Sequence, residues 1–546
     1  MRKLLLLLAV CLAAPAWAGV PQTELFRGMQ DELARTQRQL RLKGYPRPFF
    51  TAYKLEQSRT ENYLASLGEL LQSPKGEIRP VLTPYVHMVT GNAKENSNGF
   101  DNPGYYFWPS WSGSAPDNYD GVRNYFWYLS NTDYTQSLDT YAQKEAYRRQ
   151  KQMTQDAPDF VSAPAASFYE DVPDETGNRT YYENLVKRLS ASGRNYKHVE
   201  KATAGVTVVQ NVARYLSSGG SWYQTGGTFI NITLAAQTRN KDGYKTQPSV
   251  TYTYTPQTLP SADELAKKAE AFFGGIDRAY AAKKAEPYLG PVLLKGRASA
   301  DFLETLFVRN VRHAKPLLTP EGEDRSAGAF KDKIGLRVIS HLFDVEDRPL
   351  LREYKGERLL GFMPVDDEGV AAQNLELVKN GKLLTLPSSR NLRKGEKAGN
   401  GHARMSRYSR PRSALTSVFF TPKQGFAPEE MEQKLLDRCR ELDLEYCYVV
   451  EGWEGNRPGR LSGVFAQKIY VKDGRKEPVY GARLQNLTPR SLRDISAAGT
   501  DEQVFNYYDD DMIPRTLVAP SLLVEEMEIV PDALQPDRAP FVKQPR

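Results

Sequence analysis

The sequence is poor in the residues that most often do chemistry. Three cysteines and five histidines are spread over 546 residues. The histidines (His87, His198, His313, His341, His402) include no pair at helical ligand spacing, so no helix offers two imidazoles to one metal ion. No Gly-x-Ser-x-Gly elbow is present. The glycines fall at turns and not in phosphate-loop spacing, which sets aside P-loop nucleotide chemistry. Long apolar runs are also missing: after the first few residues nothing approaches the ~20 residues of a membrane-crossing helix. Nor is there a strong surplus of one charge. Lys and Arg number 73 against 66 Asp and Glu, a formal +7, with no dense basic stripe, so no nucleic acid is expected as a partner. The basic stretch Lys144 to Lys151 reads as the solvated face of a helix.

What is present begins with a leader. Arg2 and Lys3 precede the apolar run Leu4 to Val10, and Ala16-Trp17-Ala18 supplies the small residues of a cleavage site, so residues 1–18 read as a secretory signal peptide cut before Gly19. A lipid anchor on Cys11 is disfavoured, because Val10 stands where a small residue is needed. The expected location is periplasmic or secreted. After cleavage only Cys439 and Cys447 remain, at the end of a helix over 429–442 and the start of a strand over 446–450. In an oxidising compartment they can bridge; as buried free thiols they would behave as small hydrophobes. Both readings stay open, and neither makes them catalytic.

Even without the leader, the length exceeds what one hydrophobic core supports, so two domains or more are expected. Helical periodicity runs over Thr23 to Leu42, where Gly44 and Pro46 stop it. Strands are expected at Phe49 to Leu55, Asn62 to Leu67 and Arg79 to Val89. Residues 91–120 form an aromatic-rich loop, followed by a long polar helix to Met153. Tyr105, Tyr106, Phe107, Trp108, Trp111 and Tyr125 to Tyr128 read either as a stacking platform for sugar or peptide, or as a plug packing the loop onto the domain. A helix at Tyr181 to Ser190 leads into a strand-rich region, His198 to Tyr254, with turns at Gly219-Gly220 and Asp242-Gly243. Ser261 and Glu264 form a capping box opening a helix to Lys284. Pro287 and Pro291 mark the boundary between an amino-terminal domain over 19–286 and a carboxy-terminal domain over 290–546. The latter reads as a helix from Ser299 to Val311 and then mostly strands with tight turns, Gly361 to Pro364 and Lys382 to Pro387 among them. The fold class is α+β.

Several motifs then fall in order: Asp366-Asp367-Glu368-Gly369-Val370-Ala371-Ala372-Gln373, an Asn-Gly hairpin at 380–381, Gly399-Asn400-Gly401-His402, Arg410-Pro411-Arg412-Ser413, Lys476 to Arg483, and Ala519-Pro520-Ser521-Leu522-Leu523-Val524-Glu525-Glu526. From about Gly290 to Val530 this series resembles the carboxy-terminal domain of the TldD/PmbA (TldD/TldE) family, and the amino-terminal half is similar to the family's exported branch. The resemblance implies a two-domain subunit, with an amino-terminal α/β domain and a sheet-dominated carboxy-terminal domain. It also implies pairing with a like subunit, as a homodimer or as a heterodimer with a TldD-like subunit, around a space for unfolded peptide. In active members a helix bearing His-Glu-x-x-x-His holds zinc with a late cysteine, and the glutamate acts as base. Such a site needs three protein ligands and an open position for water.

Here Lys295 and Ala300 stand at the histidine positions and Gly296 at the glutamate position, and the segment Val504 to Tyr508 has no cysteine. No catalytic or metal residue is therefore expected, and no cofactor, zinc entering only if a partner subunit carries it. In this the chain resembles PmbA (TldE), the partner subunit without the motif: a pseudoenzyme. A peptide groove is expected along Asp366, Asp367, Glu368, Gly369, Asn400, Gly401, His402 and Arg404, binding extended backbone at an exposed strand. The acidic trio also reads as an ordinary strand-to-strand turn, and His402 as a structural residue. Two other functions are weighed: an active metallopeptidase built from different residues, and an envelope scaffold using segment 105–128 on glycan.

Overall fold

The structure is a computed structural model describing residues 17, 19–100, 116–154, 157–173, 178–312, 318–320, 322–323, 328–406, 409–453, 464–508 and 513–531. The leader apart from Trp17, the aromatic segment 105–111 and Asp509 to Asp511 lie outside the described residues.

The amino-terminal domain is built on two unusually long strands, Val199–Ser217 and Trp222–Arg239, joined by a tight turn at Gly219-Gly220 and paired antiparallel along nearly their whole length. Alternation explains them: Val206 and Val208 face Ile232 and Ile230 across the pair, and all four are buried. The expected strands at 49–55 and 62–67 are one strand, Pro48–Ser66, because the polar residues between them alternate along the same sheet and contain no turn signal. Strand Val81–Thr90 covers its first half and the short strand Ser249–Tyr254 covers part of Trp222–Arg239.

Helices α1 (Glu24–Gln39) and α2 (Tyr119–Gln150) pack together at one end of this sheet, through Phe26, Met29, Val122 and Phe126. Helices α3 (Arg179–Ala191) and α4 (Ala262–Arg278) cover the other end, through Leu185, Leu189, Leu265 and Phe273. The capping box at Ser261 and Glu264 is formed. Two expectations fail here. Helix α4 stops at Arg278 instead of Lys284, because Lys283–Lys284 leaves to pair in parallel with Val479 and Tyr480 of the carboxy-terminal domain. Lys144, read as solvated, is buried, with Asp159 2.6 Å from its ammonium.

The carboxy-terminal domain has two larger sheets. In the first, strand Leu522–Pro531 pairs with both Tyr288–Leu294 and Lys476–Gln485, so that with Tyr446–Trp453 and Val464–Tyr470 five strands close into a ring. The second runs in the order Lys382–Leu383, Leu375–Lys379, Phe343–Asp347, Ser417–Pro422, Pro514–Ala519, Gln503–Tyr508. Helix α5 (Arg297–Leu306) buries Phe302, Leu303 and Leu306 in the core both sheets share. Helix α6 (Pro428–Glu441) covers the ring from outside, through Met431, Leu435 and Cys439. Gly361 to Pro364 is not a strand: Gly361 sits where an added Cβ would meet the Thr416 carbonyl at 2.2 Å, so the chain crosses the neighbouring backbone instead of pairing with it. Residues 384–387 likewise leave the sheet after Leu383.

Candidate functional site

Two charged regions of the carboxy-terminal domain meet the amino-terminal domain, and they differ in how they do so. The first is the turn Asp366 to Gly369, closed by a bridge between Val365 and Ala371. Gly369 has φ +74° and lies against Ser221, whose hydroxyl donates to its carbonyl at 2.7 Å; an added Cβ would come within 2.8 Å of the Ser221 side chain. Only glycine satisfies both the left-handed backbone and the close approach.

The three carboxylates of this turn are buried. Asp366 accepts the backbone N–H groups of Glu368, Val370 and Ala403 and the Ser389 hydroxyl, so it builds the turn and ties it to two other segments. Burial nevertheless raises its pKa. Asp367 reaches into the amino-terminal domain, accepting from Lys54 Nζ at 3.1 Å, from the Tyr223 hydroxyl at 2.5 Å and from the Met405 N–H at 2.7 Å. Burial acts to raise its pKa, but the charges of Lys54 and Arg404 outweigh it and hold the carboxyl below its usual value. Glu368 has weaker support: it accepts the Arg390 N–H, and burial next to the Asp366 charge pushes it up to about 7. The Arg390 side chain donates to the carbonyls of Glu368 and Val161 and stacks over Phe50 and Phe160, so it too spans the seam.

The glycine-rich turn nearby is structural in the same sense. Asn400 accepts the Ser388 N–H and donates to the Leu386 carbonyl. Gly401, at φ +73°, lies where a Cβ would strike the Ala371 carbonyl. His402 is fully buried, its Nδ1 2.9 Å from the Asn400 carbonyl and its Nε2 3.3 Å from Asp347. The groove expected along these residues is therefore not an open one. Asp366, Asp367, Glu368, Gly369, Gly401 and His402 are buried, and only Asn400 and Arg404 keep partial exposure. The acidic trio does form a turn, but a buried one, and Asp367 takes two of its partners from the other domain.

The second region is hollow. A cavity of about 1250 Å³ lies between the domains, bounded on one side by strand Ser249–Tyr254 and α4 and on the other by Arg297, Asp301, Lys476 and strand Gln503–Tyr508. Both strands are sheet edges: among the described residues neither has a strand on its outer side. The start of α5 opens here. Strand Tyr288–Leu294 delivers the chain to Gly296, at φ +50°, from which the helix begins without a side-chain cap. Lys295 turns away to Glu432 on α6 at 2.5 Å, and Lys476 joins the same carboxylate at 2.9 Å. Burial would raise the Glu432 pKa, but hydrogen bonds from the two lysines lower it. Ala300 is fully buried. Arg297 donates to Asp301 at 2.8 Å and lies 4.2 Å over the Tyr507 ring, whose hydroxyl also donates to Asp301. Burial raises the Asp301 pKa against the pull of Arg297.

These residues do not fit a zinc ion. Lys295 is a cation held by a carboxylate, Gly296 has no side chain, and Ala300 offers a methyl group. Among the described residues, no group of three or more His, Cys, Asp or Glu side chains could hold a metal ion. His87 is buried on strand Val81–Thr90, and burial together with Arg410 and Arg390 lowers its pKa to about 3.

The seam residues Lys54, Tyr223 and Arg390, and the cavity residues Arg297, Asp301 and Tyr507, were not legible as sites. The four-residue spacing of Arg297 and Asp301 on a helix was the one available signal. Of the aromatic stretch 125–128, Phe126 stacks on Tyr53 in the core, while Trp127 and Tyr128 are half exposed.

Residues 288–531 match the family model of the PmbA/TldA metallopeptidase C-terminal domain. In overall fold the chain is similar to TldE from Thermococcus kodakarensis, with a TM-score of 0.59 at 14% identity over 92% of this chain and 100% of that one. It is similar to a candidate modulator of a DNA gyrase from Thermotoga maritima, with a TM-score of 0.58 at 15% identity over the same shares. A candidate modulator of DNA gyrase from Bacteroides thetaiotaomicron gives 0.55 at 11%, over 93% and 98%. No curated protein matches the sequence. No helix among the described residues is long and apolar enough to cross a membrane.

Proposed function

The chain belongs to the TldD/PmbA family, and on that premise we propose that it is an exported, non-catalytic subunit that holds unfolded peptide or partners a zinc-bearing homologue. One observation carries the reading: the helix start beside the cavity presents an ion-paired lysine, a glycine and a buried alanine where a metallopeptidase of this family needs two imidazoles and a carboxylate. The cavity itself supports a holding role. Peptide in extended form binds a sheet's edge strand through its backbone, with loose demands on side chains, and two edge strands flank this space. On strand Ser249–Tyr254 the carbonyl of Pro248 points to the paired strand, so by alternation residues 249 and 253 aim their backbone groups outward.

The test is binding of a labelled, permanently unfolded polypeptide to the mature chain. Saturable binding without new peptide ends is expected. Thr253→Pro, which deletes one outward N–H at an edge where proline is tolerated, should weaken that binding without unfolding the protein. Cleavage restored by adding an exported homologue with an intact His-Glu-x-x-x-His helix would support the partner role. Chelator-sensitive cleavage by the isolated chain would end the proposal.

A further inference from the structure

Cys439 and Cys447 are the only cysteines downstream of the leader, so a bridge within the mature chain has one connectivity available. The fold brings them together. Cys439 lies in the last turn of α6 and Cys447 is the second residue of strand Tyr446–Trp453. Between them Asp443 takes a left-handed φ of +53°, and the Leu444 N–H returns to the Cys439 carbonyl at 2.9 Å, so the strand starts directly under the helix end. Both side chains are fully buried in one apolar cluster with Met431, Leu435 and Ile469. Both are free thiols in this structure, packed into the same small cluster. Cys439 Sγ is also 3.9 Å from the Tyr288 hydroxyl, and Cys447 Sγ 3.9 Å from the Leu435 carbonyl.

Packing alone would account for two small apolar side chains here. It does not require both of the mature chain's cysteines to fall at this one junction. Two thiols placed in one cluster at a helix end and the start of the following strand are the arrangement from which thiol–disulfide exchange closes a bridge. We propose that Cys439 and Cys447 are joined by a disulfide in the exported protein, formed while the α6–strand unit is still folding. Its setting in the cell rests on the export part of the function proposed above; its geometry does not.

The chemistry needs a small disulfide oxidant such as oxidised glutathione. One cysteine thiolate attacks a glutathione sulfur, forming a mixed disulfide and releasing one glutathione thiolate. The second cysteine thiolate attacks the bonded cysteine sulfur and releases the other. Two protein thiols are oxidised and one oxidised glutathione is reduced to two thiols. Because neither cysteine is exposed in the folded chain, this exchange precedes burial of the unit. The bridge would fix α6 on the strand, and α6 carries Glu432, the carboxylate that holds Lys295 and Lys476 beside the cavity.

The decisive experiment refolds the mature chain from denaturant in glutathione redox buffer, then denatures it in alkylating agent and weighs it. Loss of about two mass units with no alkyl group added is expected, from the two hydrogens removed per bridge. Two alkyl groups would overturn the proposal, whatever the fate of the leader. The oxidised chain should unfold at higher denaturant than the same chain refolded with reductant, and equal midpoints would overturn the role in fixing α6. Export is read separately, from the amino-terminal mass of chain recovered from cells expressing residues 1–546. An uncut leader would sink the export reading and leave the refolding result standing.

Discussion

Two ion pairs show how differently the domains meet at the seam and at the hollow. At the seam, Lys54 and Asp367 stand 3.1 Å apart with side chains 6% and 4% exposed. At the cavity wall, Lys476 and Glu432 stand 2.9 Å apart with side chains 49% and 26% exposed. The distances are alike; the water is not. Breaking a dry pair strands a charge in low dielectric, whereas breaking a wet one lets solvent take over. The acidic stretch 366–369 is thus a clasp between domains, whereas Arg297, Asp301 and Lys476 line the open cavity as ion pairs that water reaches on one side. The stretch that kept its family-like residues is the one turned inward. The stretch that departs from the family pattern lies next to the cavity, whose wall its helix supplies through Arg297 and Asp301.

The largest test of this contrast is Asp367→Ala. It leaves Lys54 with Glu56 as its remaining carboxylate and strands the Tyr223 hydroxyl and the Met405 N–H. A loss of about 3–5 kcal/mol in urea unfolding is expected. A loss below about 1 kcal/mol would mean the seam is wetter than its burial indicates.

Glu368→Gln should act in the opposite direction and depend on pH. The folded-state pKa of Glu368, about 7, lies above its ordinary 4.5. Its contribution to stability is therefore complete below pH 4.5 and is lost as pH rises through 7. Gln stays neutral and keeps an acceptor for the Arg390 N–H, so the variant should gain up to about 3 kcal/mol at pH 8 and nothing at pH 4. His87, also at the seam, works the other way: its lowered pKa, about 3, makes stability fall as pH drops below 6.5. The reading is thus the difference between variant and wild type, which cancels His87. Parallel pH profiles from 4 to 8 would contradict the assignment.

The smallest effect is expected at the hollow. Lys476→Ala removes an exposed pair and should change stability by less than about 1 kcal/mol. A loss as large as that of Asp367→Ala would erase the distinction between the regions.

How much of this was readable depends on the range of the interaction. Local signals held: the capping box at Ser261 and the Asn-Gly turn at 380–381, where Asn380 takes φ +51° and Gly381 φ +76°. Family-like order along 288–531 located the domain that carries the motifs. Long-range partners were invisible. Asp367 reads as a turn acid because nothing local announces Lys54, 313 positions away. Arg390 meets Val161 across 229 positions. Helix α4 was read too long for the same reason, since Lys283–Lys284 has its pairing partner near residue 480. At 295–300 the residues that stand at the family's ligand positions are read from the sequence directly, since a side chain without a donor atom is a local property.

The proposed holding or partner role requires that the chain does not cleave peptide by itself. Its most direct test is metal content and peptidase activity of the purified mature chain, measured on an unfolded fluorogenic protein. No stoichiometric zinc and no turnover are expected. About one zinc per chain, with cleavage abolished by chelator, would contradict that role.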